Sequence, residues 1–268
     1  MSVTLTDLAE KLRELDGFRV EIDAARERAD IVLDRPPLNI VTMRQRDQLR
    51  LVFEALDRDA SVRVIVLRSA GEHFSSGGRI AGFMEASPEQ VSELANNIAA
   101  PERCAKPVIA SVRGYCFGVG FELSLACDFR IASETAEFAL PEMRIGMIPG
   151  SGGSARLLHM IGGARTKDMV MRAKRIKGRM AAEWGFVTEC VADAALEATV
   201  DRLVDELRGF SPLAQRTIKT VLNRGQNLSQ QGAIELEGQA YGRLRGSADF
   251  KEGVDSFVEK RKPVFKGE

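Results

Sequence analysis

The chain has 268 residues, 44% hydrophobic and 28% charged, which is enough apolar material for a sizeable core in one domain or one domain plus a small appendage. Its 38 basic and 38 acidic residues balance, so electrostatics give no reason to expect nucleic acid or an anionic membrane as partner. No stretch approaches the roughly 18 apolar residues of a membrane span, and the start lacks a basic segment leading into an apolar one, so an ordinary soluble protein is expected.

Taken in chain order, residues 1–17 read as a short helix, with Leu8, Leu12 and Leu15 on one face and Gly17 as its stop. From Phe18 to Val187, short β-branched runs (residues 29–33, 62–67, 107–112 and 129–132) alternate with helical patterns such as Leu49, Val52, Phe53 and Leu56. That alternation is an α/β signature. After about Asp193 strand signals vanish, and amphipathic stretches at 195–207, 212–223, 231–244 and 250–260 read as helices. The expected division is an N-terminal extension (1–17), an α/β core carrying the site (18–193) and a helical C-terminal region (194–268).

Two glutamates stand out. Glu122 follows Gly114, Gly118 and Gly120 and precedes Leu123, Ala126 and Cys127 at helical spacing, so it is expected in the first turn of a helix. Glycines let the backbone approach a ligand, and free N–H groups at a helix start suit a developing anion, so this turn is a candidate oxyanion hole. Glu142 lies between Pro141 and the Pro149-Gly-Ser-Gly-Gly153 run, with another helix start expected near Ser151. Either piece alone is more often a tight turn with an acid favoured by the helix dipole. Together they suggest a paired-carboxylate site beside backbone donors.

Other chemistries find little support. Cys104, Cys116, Cys127 and Cys190 show no C-x-x-C spacing, which fits buried thiols in a reducing cytoplasm and implies no structural zinc. His73 and His159 lack metal-ligand spacing, Ser151 misses the G-x-S-x-G elbow, and Gly114-x-x-x-Gly-x-Gly is not a dinucleotide fingerprint, so no metal and no redox cofactor are expected.

The segment from Lys106-Pro107 through Gly-Val-Gly-Phe-Glu122-Leu, Ala-Cys-Asp-Phe-Arg-Ile-Ala, Phe-Ala-Leu-Pro-Glu142 and Ile-Pro-Gly-Ser-Gly-Gly153 resembles the enoyl-CoA hydratase/isomerase (crotonase) superfamily. Further landmarks in family order are Arg35-Pro-Pro-Leu-Asn39, Val62–Arg68 before His73-Phe-Ser-Ser-Gly-Gly78, Ala182-Glu-Trp-Gly-Phe-Val187, Ser211-Pro-Leu-Ala214 and Phe257-Val-Glu-Lys-Arg-Lys262. The resemblance implies a crotonase-like spiral of ββα units, with C-terminal helices that pack between subunits in trimers or hexamers (dimers of trimers). It implies an acyl-CoA substrate, with CoA carried by the substrate and no tightly bound cofactor.

By the same resemblance, the N–H groups of Gly78 and Val119 would hold the thioester enolate oxygen, while Glu122 and Glu142 activate water and supply the α-proton, with Glu142 favoured as proton donor. Family isomerases typically need only the acid at the position of Glu142, so two acids favour hydratase over isomerase. Another thioester reaction on this scaffold, or a non-catalytic binding role, stays as the alternative. Ser76, Arg79, Ile80 and Ala81 would flank the substrate, and Phe257 and Lys260 would meet CoA near its adenine, across a subunit boundary in an oligomer.

Three features depart from the pattern or extend it. Val119 stands where a third adjacent glycine is common, so its side chain is expected to narrow the approach to its N–H. Arg79 replaces an acid and Ala81 a basic residue; Arg79 reads either as a CoA-phosphate contact or as a partner for a carboxylated acyl group. Phe83, Met84, Phe117, Met143 and Met147 read as core filling or as the wall of a bulky or cyclic acyl pocket.

Overall fold

The computed structural model describes residues 13–268. Most of the helix expected over 1–17 therefore lies outside the described residues. Residues 13–17 form bends, not a helix, with Leu15 packed on the core and the Asp16 N–H donating to Gln48 Oε1 at 2.8 Å.

Nine strands are described: β1 (Phe18–Asp23), β2 (Arg28–Leu33), β3 (Val64–Ser69), β4 (Val108–Val112), β5 (Tyr115–Phe117), β6 (Phe129–Ser133), β7 (Glu137–Ala139), β8 (Ile176–Lys177) and β9 (Glu189–Val191). Six make one sheet in the order β1-β2-β3-β4-β6-β9, antiparallel only at β1-β2. The other three make a small sheet, β5-β7-β8, parallel at β5-β7. Helices of seven residues or more are α1 (Met43–Arg58), α2 (Val119–Leu125), α3 (Gly153–Met171), α4 (Gly178–Trp184), α5 (Leu196–Arg208), α6 (Pro212–Gly225), α7 (Gln230–Leu244) and α8 (Ala248–Glu259). Among the described residues no helix is long and apolar enough to cross a membrane.

Strand periodicity divides the core in two. On β3, Ile65 and Leu67 face the main core, whereas Val64 and Val66 face the other side with Ile109 and Ile131. Those outer residues meet Leu196, Val200 and Val204 of α5, spaced as one helix face. Thus α5 completes the packing of this chain's own sheet, although the sequence grouped it with the C-terminal helices. It does so because residues buried on both sheet faces demand a second cover.

The strands expected at 29–33, 62–67, 107–112 and 129–132 correspond to β2, β3, β4 and β6, and the four C-terminal helices correspond to α5–α8. The second sheet escapes the sequence because its strands are two or three residues long, below any readable alternation. Cys104, Cys116 and Cys127 are buried, and Cys190 is half-buried.

Candidate active site

Two backbone segments run side by side at the site. The Ser75 N–H donates to the Tyr115 carbonyl at 2.8 Å and the Phe117 N–H to the Ser75 carbonyl at 2.9 Å, with Ser75 opposite Cys116 in parallel register. Further along, Gly77 and Gly118 come close, a Cβ on Gly118 standing 3.7 Å from the Gly77 Cα, so the residues that follow them, Gly78 and Val119, leave from adjoining points of the two segments. Neighbouring donors are committed: the N–H of Ser76 to Leu38 O (2.8 Å), of Arg79 to Val41 O (3.0 Å), and of Gly118 to Ala139 O (3.0 Å). Among the described residues, no acceptor takes the N–H of Gly78 or of Val119.

Val119 is the first residue of α2, where helix geometry leaves an N–H without an intrahelical acceptor. Its side chain is 4% exposed and belongs to the main core, so the β-branch is absorbed by packing.

Glu122 sits one turn into α2, 3% exposed, and its Oε1 accepts two backbone N–H bonds, from Ser151 at 2.7 Å and Gly153 at 3.1 Å. The Pro-Gly-Ser-Gly-Gly run thus serves Glu122, and α3 begins at Gly153. Glu142 opens a 3₁₀ turn just after β7. Because β7 pairs with β5, and β5 leads into Gly118, the small sheet carries Glu142 to the start of α2. A Cβ on Gly118 would stand 3.0 Å from Glu142 Oε1, and Gly118 has φ +51°, so both space and conformation favour glycine there.

The acids differ in their surroundings. Glu142 Oε2 is buried with no hydrogen-bond partner among the described residues. Burial pushes the Glu142 carboxyl up to about 7, the Glu122 charge adds to the rise, and a backbone bond and Arg46 oppose it. Arg46, on α1 and 2% exposed, carries a guanidinium lowered to about 10 by burial, against the attraction of Glu122 and Glu142. A carboxyl poised near neutrality, a carboxylate pinned by two N–H groups and two uncommitted N–H donors can together move protons and hold a developing oxyanion.

Ser76 and Gly78 are half-buried on the loop leading into the site, and Arg79, Ile80 and Ala81 are exposed beside it, Ile80 and Ala81 opening the short helix Ile80–Glu85. No described carboxylate pairs with Arg79. Phe257 and Lys260 are not brought together with the acids: Phe257 is 85% exposed on a separate cleft of about 480 Å³ with Tyr241, Leu244 and Phe250, and Lys260 is the exposed C-cap of α8.

Of the expected pocket wall, Phe117 is buried in a stack with Tyr115 and His73, beneath Arg175. Met84, Met143 and Met147 are exposed, and the Phe83 side chain lies outside the described residues.

Sequence reasoning missed Arg46, the Ser151 and Gly153 donors, and Arg156, whose Nη1 donates to Ser151 O at 3.0 Å. Arg46 had one legible signal: a cation three residues before Leu49 and seven before Phe53, on the buried stripe of α1. Hydrogen bonds from the Pro149–Gly153 run to an acid 29 residues away leave none.

A model of the enoyl-CoA hydratase/isomerase family matches residues 26–268. The chain is 32% identical over 246 residues to a probable enoyl-CoA hydratase of Bacillus subtilis strain 168, covering 90% of this chain and 95% of that one. It is 33% identical over 250 residues to a carnitinyl-CoA dehydratase of Proteus mirabilis strain HI4320, covering 89% and 94%. In structure it is similar to an enoyl-CoA hydratase of Bacillus anthracis, with TM-score 0.88 and 32% identity over 94% of this chain and 100% of that one. With motifs, fold and relatives in agreement, the chain belongs to the enoyl-CoA hydratase/isomerase family and is a hydratase-type lyase of the crotonase superfamily.

Proposed function

We propose that this enzyme adds water across the 2,3 double bond of an enoyl-CoA thioester to give the 3-hydroxyacyl-CoA, with Glu122 and Glu142 sharing the water. The observation that carries this reading is the pairing of two acids of unlike environment beside the uncommitted N–H groups of Gly78 and Val119. Glu122, held by Ser151 and Gly153, accepts a proton from water as its oxygen bonds to the β-carbon. Charge moves onto the thioester oxygen, which the Gly78 and Val119 donors receive; one such donor commonly lowers a barrier by about 2.7–4 kcal/mol. Protonated Glu142 delivers its proton to the α-carbon, and reversal of the same steps gives dehydration.

Ser76, Arg79, Ile80 and Ala81 form the near wall of the thioester and CoA path. Phe257 and Lys260 reach CoA only from a neighbouring copy in a trimer or hexamer, since within one chain they line or flank a different cleft. Arg79, exposed and without a described acidic partner, favours a second reading of the acyl group as carboxylated.

The test is loss of conjugated-thioester absorbance on mixing the enzyme with a panel beginning with crotonyl-CoA, beside Glu122→Gln and Glu142→Gln. Fast loss with wild type and collapse in both variants is expected. Turnover that survives in Glu122→Gln would replace hydration with isomerisation.

A further inference from the structure

The hydrogen bonds that hold Glu122 do not end at Ser151 and Gly153. Between these two donors lies Gly152, in the left-handed region at φ +92°, and it turns the chain so that both N–H groups point at one carboxylate oxygen. Arg156, one turn into α3, closes over this bend: its Nη1 donates to the Ser151 carbonyl at 3.0 Å, and it occupies the space a Cβ on Gly152 would need. Its Nε donates to Glu102 Oε2 at 2.9 Å, and the pair is largely shielded, with side chains 16% and 32% exposed. Glu102 is itself anchored: Asn223 Nδ2 donates to its carbonyl at 3.0 Å, and Lys219 Nζ to the Pro101 carbonyl at 2.9 Å, both from α6.

The Ser151 carbonyl held by Arg156 and the Ser151 N–H that meets Glu122 belong to successive peptide units joined at the Ser151 Cα, so fixing the carbonyl restrains the residue that presents the N–H. Along this path Glu102 orients Arg156, Arg156 fixes the Ser151 carbonyl, and the bend so held aims the Ser151 and Gly153 N–H groups at Glu122. A cavity of about 650 Å³ lies behind the bend, bordered by Glu102, Gly152, Arg156, Lys219 and Asn223, so within the single chain the charged pair is what holds the bend on that side.

We propose that Arg156, set by Glu102, is a positioning residue for hydration: it holds the Gly150–Gly153 bend so that Glu122 meets water at the angle the reaction requires. This rests on the assignment of Glu122 under Proposed function. Arg156 touches no reacting atom, so its loss affects kcat more than KM.

The experiment compares wild type, Arg156→Ala, Glu102→Gln and Gly152→Ala on the best substrate of the panel, with thermal unfolding to confirm folding. Expected for Arg156→Ala is a fall in kcat of about 10- to 100-fold, the range over which supporting partners of a reactive group act, with KM within about twofold. Added guanidinium, below denaturing concentrations, restores part of the lost kcat in Arg156→Ala and none in Gly152→Ala. Unchanged kcat in folded Arg156→Ala overturns the proposal, as does a loss that guanidinium does not relieve. If Arg156→Ala fails to fold, Arg156→Lys and Glu102→Gln replace it, and full kcat in both overturns the proposal. If wild type hydrates no member of the panel, the functional assignment fails. The brace is then decided by the crystal structure of Arg156→Ala: Ser151 and Gly153 N–H groups drawn away from Glu122 support it, and unchanged distances refute it.

Discussion

Glu142 gives the sharpest test of single-residue chemistry. Its folded-state value of about 7 lies above the ordinary 4.5, so the native protein keeps a proton that the unfolded chain releases between those values. Its contribution to stability is full below about pH 4.5 and lost as pH rises through about 7. Glu142→Gln, neutral throughout, should therefore gain on wild type in urea unfolding between pH 5 and 8; a constant difference across that window would contradict the burial argument. In the proposed mechanism the same proton goes to the α-carbon, so hydration by wild type should decline above about pH 7. Arg46 opposes the rise at Glu142, so Arg46→Met should move that limb to higher pH. Arg79→Ala should raise KM selectively for dicarboxylic acyl-CoAs if arginine meets an acyl carboxylate, and equally for every substrate if it meets CoA phosphate. At this scale the acids were legible because they sit inside contiguous motifs. Arg156 was not, since its meaning depends on Glu102, 54 residues away.

At the scale of elements, the site depends on how α1, α2 and the small sheet are joined to the core. Thr42 caps α1 in a full capping box with Gln45, immediately after Val41, which pairs with Gly78. Thr42→Ala should cost about 1 kcal/mol of unfolding free energy in denaturant melts. The aromatic trio Phe121, Phe138 and Phe186 ties α2 to β7, with centroids 5.2–5.5 Å apart. All three rings are at most 1% exposed, so Phe186→Ala should cost about 3–5 kcal/mol, and no smaller residue can fill the gap without repacking. Long strands and helices with clear periodicity were visible in the sequence; β5, β7 and β8 were not, although they deliver Glu142 to Gly118.

For the whole molecule, the C-terminal helices raise the question of assembly. Leu222, Ile234, Tyr241, Phe257 and Val258, all on these helices, are 56–85% exposed in the single chain. A trimer or hexamer would cover them and bring Phe257 and Lys260 toward a neighbour's CoA. Sedimentation analysis should find a mass at least three times 29.4 kDa, and Phe257→Asp should shift it downward; a wild-type monomer would exclude the shared CoA site.

The sequence by itself determined the α/β class, the helical C-terminal region, the pair of acids and the glycine turns that accompany them, because each is a local pattern of residue type and spacing. Only the tertiary structure decided that the N–H groups of Gly78 and Val119, which the family resemblance had named, are uncommitted, that α5 covers the second face of the sheet, and that Arg46 lies near both acids while the Arg156–Glu102 pair meets the Ser151 carbonyl. Those facts depend on register between distant strands and on which polar groups share a buried volume, and both are set by how the whole chain packs.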